Sequence, residues 1–212
     1  MAGTALLSVP LGIAAALYLE EFANNQKWYN RIIEVNLQNL AAVPSVVYGL
    51  LAVAVIALIG QQKGTVLGGS LALAMLILPV IIITTREAVR AVPQEIRQGS
   101  LALGATVWQT TWRQTLPSAI PGIATGTILG LSRAIGEAAP LLMVGVAGAQ
   151  NFDPEGFGSL TAALPIQIFT LSSKSQEEYQ QAASAAIIVL LVMILGMNAL
   201  AIFIRNKFQK SW

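Results

Sequence analysis

The stretch Gly122–Gly148, GIATGTILGLSRAIGEAAPLLMVGVAG, is apolar enough to lie in a membrane, yet it carries two charged residues near its middle. Arg133 and Glu137 are four residues apart, which on a helix places them on one face, one turn apart. A charge at the bilayer centre costs about 2.5–3.5 kcal/mol, so such residues pair with each other or line a path enclosed by protein. Pro140 cannot donate to the carbonyl of Gly136, so we expect a helix break beside Glu137. The segment therefore predicts a polar path, or else a structural ion pair that only stabilises a helix bundle.

The same stretch has a small residue at every fourth position, namely Gly122, Gly126, Gly130, Ala134 and Ala138. A stripe of this kind lets another helix approach closely. We therefore expect this helix to pack against a neighbour through one face and to present its charges beside that face.

The composition identifies an integral membrane protein. Of the 212 residues, 55% are hydrophobic and 10% are charged, whereas soluble domains carry about 25% charged residues. The chain has no cysteine and no histidine, which argues against disulfides, thiol chemistry and haem, zinc or copper sites. It has no Gly-x-x-x-x-Gly-Lys-Ser/Thr loop, so it is not itself an ATPase, and we expect no catalytic residue, no directly bound cofactor and no metal. No basic cluster with interleaved aromatic residues indicates nucleic acid as a partner.

Five stretches are long and apolar enough to span a bilayer, or nearly so: residues 2–19, 37–60, 66–85, 122–148 and 181–204. The predicted fold is all-α, a polytopic membrane helical bundle of about five spanning helices that forms one domain over residues 1–212. Within the segment 149–180, the apolar run LTAALPIQIFTL predicts a re-entrant or interfacial piece.

The basic residues predict the orientation, because cytoplasmic loops carry an excess of Lys and Arg. If 86–121 is cytoplasmic, 20–36 and the tail 205–212 lie on the same side, with nine basic residues inside and two outside. The nine are Lys27, Arg31, Arg86, Arg90, Arg97, Arg113, Arg205, Lys207 and Lys210, and the two are Lys63 and Lys174. Met1 is then outside and Trp212 inside, an arrangement that suggests that a first spanning segment is missing from this sequence.

The cytoplasmic segment 86–121 predicts a hairpin of two short helices, 94–103 and 106–116, bent at Gly104. Pro117 and Pro121 then lead into the charged membrane helix. The hairpin is more apolar than a solvated loop needs to be, owing to Leu101, Leu103, Val107, Trp108 and Trp112. Two interpretations stay open: the hairpin lies on lipid headgroups with its tryptophans as anchors, or it docks on a partner protein.

Several longer strings resemble the membrane-spanning permease subunit of bacterial ABC importers and, within that family, the A-type permeases of phosphate importers. They are PLGIAAALYLEEFA (10–23), NLAAVPSVVYGLLA (39–52), LPVIIITTREAVRAVP (78–93), LALGATVWQT (101–110) and LSRAIGEAAPLLMVG (131–145). The general cytoplasmic motif of such permeases is matched at Gly104, Leu116 and Pro117, whereas Gln98 replaces its acidic residue.

The resemblance implies partners and roles. The hairpin is then a coupling element that docks on a cytoplasmic ATPase dimer, which binds ATP and Mg²⁺. Its implied contact residues are Gln98, Gly104, Ala105, Thr106, Trp108, Leu116 and Pro117. A second, homologous permease subunit and a periplasmic or extracellular phosphate-binding protein complete such an importer in the bacterial cytoplasmic (inner) membrane. The family type has six spanning helices, so five here fit the absence of the first.

For phosphate, we predict a substrate path that includes Arg133, Glu137 and Arg86. Arginine can grip two oxygens of a tetrahedral oxyanion and does not lose its proton, and Glu137 can hold Arg133 when no phosphate is bound. Arg86 could form an exit site, or it is an ordinary anchor at the cytoplasmic membrane surface. A permease for another oxyanion, and a scaffold or phosphate-sensing subunit that does not transport, stay open as alternatives.

The predicted orientation is testable by cysteine labelling, because the chain has no cysteine of its own. An impermeant maleimide should label Lys174→Cys only from outside and Lys210→Cys only from the cytoplasmic side. Labelling of either variant from the opposite side would overturn the orientation.

Overall fold

The computed structural model of the chain describes residues 1–23, 27–60, 62–146 and 155–208. The described part is built from helices, which confirms the all-α fold class. The α-helices are α1 (Ala2–Leu17), α2 (Trp28–Ala41), α3 (Ser45–Leu58), α4 (Val66–Arg90), α5 (Gln94–Ala102), α6 (Val107–Thr110), α7 (Leu116–Gly136), α8 (Ala139–Val144), α9 (Leu164–Ser172) and α10 (Glu177–Phe208). Two π-helical turns continue this pattern: Tyr18–Phe22 extends α1, and Thr111–Thr115 joins α6 to α7.

Three of the predicted spans are single helices in the structure. Ala2–Phe22, Val66–Arg90 and Glu177–Lys207 are each long and apolar enough to cross a membrane. Within the described residues, up to four spans result if α2 and α3 together form one interrupted span. The short helix α9 lies in the apolar run that predicted a re-entrant or interfacial piece, and its nine residues reach only about 14 Å.

The predicted span 37–60 is interrupted rather than continuous. Helix α2 ends at Ala41 and α3 begins at Ser45, and Pro44 between them has a φ of −57° and a ψ of 139°. Proline has no N–H to donate and disfavours helical backbone at the residue before it. The break is therefore encoded by Pro44, which the hydropathy of the stretch conceals.

The predicted span 122–148 also differs from the structure, in both of its ends. Helix α7 begins at Leu116. Pro117 and Pro121 therefore lie within α7 and do not separate it from the hairpin arm that precedes it. It stops at Gly136, and α8 begins at Ala139. This confirms the expected break beside Glu137. Residues 147 and 148 of the stretch, like Lys210 in the tail, lie outside the described residues.

The described chain divides into two compact units, each formed from separate parts of the sequence. Unit 1 contains residues 1–8, 43–77 and 131–198, and unit 2 contains 9–42, 78–130 and the end of the chain from 199. That residues 1–212 form one functional domain stays a prediction.

Unit 1 has a small core between α3, α4 and α8, formed by Ala52, Ile56, Ala72 and Val144. Gly49 lets α3 approach α8, because a Cβ at this position would lie 2.7 Å from Cα of Pro140 and 2.8 Å from Cβ of Met143. The start of α4 is capped from the chain that precedes α9: the N–H groups of Val66 and Leu67 donate to backbone carbonyls of Ser159 and Phe157. These bonds satisfy donors that a helix N-terminus leaves free.

Unit 2 is organised by α4, which packs against α1, α2 and α7. One cluster joins Leu17 to Val89, Val92, Ala119 and Ile123, and a second joins Ala16, Leu19, Leu37 and Ile82.

The glycine stripe of α7 faces α4, as the sequence predicted. A Cβ at Gly122 would lie 2.7 Å from Cβ of Ala88, and a Cβ at Gly126 would lie 2.6 Å from Cβ of Thr84. The two helices therefore pack at a distance that larger residues on this face of α7 would not permit.

The close approach of α3 to α8 predicts that Gly49→Ala is destabilising. The added methyl meets the backbone of Pro140, and overpacking of this kind costs about 1–3 kcal/mol. Gly196→Ala in α10 is the matched control, because nothing lies within 4 Å of a Cβ there. Thermal unfolding in detergent should show a lower midpoint for Gly49→Ala alone; equal midpoints for the two variants would contradict this packing.

Candidate functional site

Arg133 and Glu137 come together as the sequence predicted, but as a loose pair. Nε of Arg133 lies 3.6 Å from Oε1 of Glu137, and the two side chains are 50% and 23% exposed. That separation is an ion-pair contact and is too long for a good hydrogen bond. The geometry leaves the guanidinium able to exchange its carboxylate for another anion.

The backbone around this pair explains why Glu137 is accessible. Glu137 lies between α7, which ends at Gly136, and α8, where Pro140 occupies the first turn. The last turn of α7 is fixed from its other side, because the hydroxyl of buried Ser132 donates to the carbonyl of Ile194 in α10 at 3.5 Å. Arg133 therefore extends from the last turn of α7, which α10 holds in place, and Glu137 lies in the helix break that follows.

Tyr48 is a further polar group near this pair. It is buried in α3, with 6% of its surface exposed. The positive charge of Arg133 is close enough to interact electrostatically with its phenol. Ser45 and Tyr48 follow Pro44 in the sequence and could supply hydroxyls to the path, but packing at a proline kink is the interpretation that the sequence favours.

Arg86 occupies a different environment from the one that a free exit site or a surface anchor would need. Its side chain is 8% exposed. Nε lies 3.1 Å from Oε2 of Glu20 at the end of α1, and Nη2 lies 3.1 Å from Oε1 of Glu34 in α2. Arg90, one turn later, contacts the same two carboxylates at 2.7 and 3.4 Å. We call Glu20, Glu34, Arg86 and Arg90 the inner charge cluster.

The two carboxylates of the inner charge cluster were missed in the sequence analysis. Glu20 is part of the Leu-Glu-Glu-Phe run at the end of α1, and Glu34 is the one acidic residue in α2. The available signal was charge balance: a buried arginine in a helix of this hydropathy needs carboxylates from neighbouring helices. Next to the cluster, a cavity of about 60 Å³ is lined partly by Glu34, Arg86 and Arg90.

The hairpin forms with the predicted bend. Helix α5 is followed by Gly104 at φ +85°, a left-handed conformation that favours glycine. Thr106 then caps α6 with a capping box: its Oγ1 accepts from the N–H of Gln109 at 3.2 Å, and its own N–H donates to Oε1 of Gln109 at 3.0 Å. The hydroxyls of Ser100 and Thr110 are 2.9 Å apart and connect the two arms.

Most of the candidate contact residues lie on the surface of this hairpin, whereas Leu116 and Pro117 belong to α7 and Leu116 packs against a core cluster of unit 2. Gln98, Gly104, Thr106, Trp108 and Pro117 are exposed, and Ala105 and Leu116 are partly exposed. Leu103 at the bend is 91% exposed. The second arm differs from the prediction, because after α6 the chain continues through the π turn into α7 without a stop. The second arm of the hairpin therefore continues directly into α7.

Comparison with known proteins gives relatives along the whole chain. The family model of the binding-protein-dependent transport system inner membrane component matches residues 8–211. Among curated proteins, the chain is 35% identical over 203 residues to the phosphate transport system permease protein PstA 1 of Mycobacterium tuberculosis (strain H37Rv), covering 95% of this chain and 64% of that protein. It is 40% identical over 168 residues to the phosphate transport system permease protein PstA of Mycobacterium leprae, covering 78% and 54%. It is 38% identical over 147 residues to the probable ABC transporter permease protein YqgH of Bacillus subtilis, covering 66% and 47%.

The chain thus spans about half to two thirds of the length of these curated relatives. Among solved structures, an inward-facing MetNI methionine ABC transporter has the same fold, with a TM-score of 0.75, 15% identity, and coverage of 98% of this chain and 88% of that chain.

The conformation of Gly104 predicts that the hairpin will not tolerate a branched side chain at its bend. Gly104→Val must adopt a left-handed backbone, at a cost of about 1–2 kcal/mol. Gly99→Val in α5 is the matched control, since the space around both glycines is open and Gly99 has ordinary helical backbone. Hydrogen exchange over residues 99–110 should rise in Gly104→Val only; equal exchange in both variants would show that the bend does not depend on glycine.

Proposed function

We infer the function of this chain from one premise: it belongs to the family of binding-protein-dependent transport system inner membrane components, and it is a multi-pass membrane protein. We propose that it is the membrane-spanning permease subunit of an ATP-driven importer that carries inorganic phosphate across the cytoplasmic membrane of a bacterium. The names of its mycobacterial relatives support phosphate as the substrate. The observation that carries the proposal is the loose Arg133–Glu137 pair at the helix break.

The proposed binding step is an exchange of anions at Arg133. Without phosphate, Glu137 compensates the guanidinium at 3.6 Å. Phosphate offers oxygens in a geometry that the guanidinium fork can contact through two parallel hydrogen bonds. Glu137 then turns away from Arg133, and its negative charge beside the bound anion weakens the grip. A transport site needs this balance, because the ion must leave as readily as it enters.

The inner charge cluster contains Arg86, the third residue of the proposed phosphate path. Arg86 is compensated by Glu20 and Glu34 in this conformation, so it is closed to phosphate. We propose that Arg86 becomes an exit site only when α1 or α2 moves a carboxylate away from it. The cavity of about 60 Å³ beside it has room for water, which would solvate these charges during the change.

The proposed energy source is a partner protein. The hairpin presents an exposed apolar surface at its bend, and such surfaces mark interaction sites. We propose that it docks on a cytoplasmic ATPase dimer, which binds ATP and Mg²⁺ and hydrolyses ATP, while this chain has no catalytic residue of its own. A second, homologous permease subunit and an extracytoplasmic phosphate-binding protein would complete the importer.

The test of the path is the different behaviour expected of two single variants in the assembled importer. Arg133→Gln removes the cation, so uptake per assembled complex should fall about tenfold or more, the loss expected for one charge-assisted hydrogen bond. Glu137→Gln leaves the cation uncompensated, so phosphate should bind at least as tightly while turnover slows. Arg205→Gln, at the exposed end of α10, is the matched control and should leave uptake unchanged.

A structural pair predicts another pattern. Either single change would then lower the amount of complex in the membrane, and the double variant Arg133→Leu/Glu137→Leu would restore both the complex and its uptake. Near-normal phosphate uptake in that double variant would overturn the path. Uptake of sulfate or molybdate, but not phosphate, by the unsubstituted complex would leave an oxyanion permease with a different substrate.

A further inference from the structure

The end of α1 carries two neighbouring carboxylates that contact different parts of unit 2. Glu20 contacts Arg86 and Arg90 of α4 in the inner charge cluster. Glu21 contacts the hairpin instead, because its Oε1 lies 3.0 Å from Nη1 of Arg97, a residue of α5. The Glu21 side chain is 7% exposed and that of Arg97 is 21% exposed. This pair is therefore much more enclosed than the pair formed by Arg133.

Further contacts at the same place involve the second arm of the hairpin. Thr111, buried at the start of the second π turn, neighbours the Glu21 carboxylate. The ring of Phe22, the next residue of α1, lies 5.9 Å from the ring of Trp108 in α6. We call Glu21, Phe22, Arg97, Trp108 and Thr111 the joint. Both arms of the hairpin meet α1 there.

The helices meet at the joint through their least regular turns. Glu21 and Phe22 belong to the π turn Tyr18–Phe22, and Thr111 opens the π turn Thr111–Thr115. Such turns are rare and occur frequently at functional sites. Here they aim one carboxylate of α1 at the hairpin and the preceding one at α4.

The charge pair in the joint is not fully bonded in this conformation. Oε1 of Glu21 has the charged Nη1 of Arg97 at 3.0 Å, but among the described residues this oxygen and Nε of Arg97 form no well-directed hydrogen bond. Arg97 already donates through Nη2 to the carbonyl of Val89 near the end of α4. Buried polar groups nearly always have partners, and a guanidinium can bind a carboxylate through two parallel bonds. A small rotation of α5 would therefore give the joint a second, better bonded arrangement.

We propose that Glu21 and Arg97 are positioning residues that transmit movement of the hairpin to α1, switching between these two bonded arrangements. The inference rests on the proposed function, in which the hairpin docks on an ATPase. Displacement of α5 moves Glu21 through Arg97, and Glu20, adjacent in the chain, transmits the change to Arg86 and Arg90. The joint thus connects the hairpin to the inner charge cluster.

The first experiment compares the complete importer, with its ATPase, second permease and binding protein, in nanodiscs. In Arg97→Gln and in Glu21→Gln, the amount of assembled complex and its basal ATP hydrolysis should stay normal. Stimulation of hydrolysis by the phosphate-loaded binding protein should fall about tenfold, within the range of coupling between sites in proteins. Arg205→Gln is the control again, and the double variant should lose no more than either single one.

Normal stimulation in Arg97→Gln would overturn the proposal. Loss of the assembled complex in both single variants would also overturn it in favour of a purely structural pair.

A second measurement is independent of the transported substrate. Spin labels at Leu11→Cys on α1 and Glu95→Cys on α5, both exposed positions, report the distance between α1 and the hairpin. With the joint intact, the distance distribution should be narrow in each state, and ATP and vanadate should shift it only slightly, as a small rotation of α5 requires. In Arg97→Gln it should broaden when nucleotide binds, because α5 is then no longer held to α1.

Identical distributions with and without Arg97 would contradict the joint. Absence of phosphate uptake by the unsubstituted complex, with the distances behaving as expected, would contradict the proposed substrate alone.

Discussion

Compensation of one buried charge determines how unit 2 is assembled. The guanidinium of Arg86 is withdrawn from water, and removing the partner of a buried ion costs about 3–5 kcal/mol. Its carboxylates come from Glu20 and Glu34, which belong to different helices. The end of α1 and the middle of α2 must therefore lie at the same level as the last turns of α4. Apolar packing of Leu17, Leu19 and Leu37 against α4 could tolerate a shift by a turn, whereas the charge pairing could not.

The two arginines differ in how closely carboxylates compensate their charges. Arg86 has two close carboxylates and little exposure, so its charge is compensated within the fold in this conformation. Arg133 has one carboxylate at 3.6 Å and a side chain that this chain alone leaves half exposed. A sequence shows only that both arginines lie in apolar surroundings. The number and distance of their carboxylate partners distinguish the two arginines in this structure.

Local signals predicted much of the fold. The helix break beside Glu137 follows from Pro140, the close contact of α7 with α4 follows from Gly122 and Gly126, and the bend of the hairpin follows from Gly104. Each of these depends on the conformational limits of one residue and its near neighbours. The prediction was less complete where two signals disagreed. The hydropathy of residues 37–60 indicates one span, but Pro44 interrupts it. Pro117 was expected to separate two helices, but it lies within α7.

Contacts between distant parts of the chain were not predictable in the same way. Glu20 meets Arg86 across 66 positions of sequence, and no spacing rule relates them. The pairing of Glu21 with Arg97 has the same character. The sequence indicated the Arg133–Glu137 site because both residues lie on consecutive turns, and it left the inner charge cluster unseen because that cluster is assembled only by tertiary packing.

The exposure of α10 has a consequence for how this protein can change over evolutionary time. Only 6% of the most apolar part of α10 is buried, so most of its side chains pack against nothing within the described part of this chain. Exchange among Leu, Ile, Val and Met there preserves hydrophobicity and disturbs little packing. Substitutions should accumulate in α10 faster than in α4, where 61% of the window is buried. Sequence variation among relatives would then mark α10 as the helix whose identity the fold constrains least.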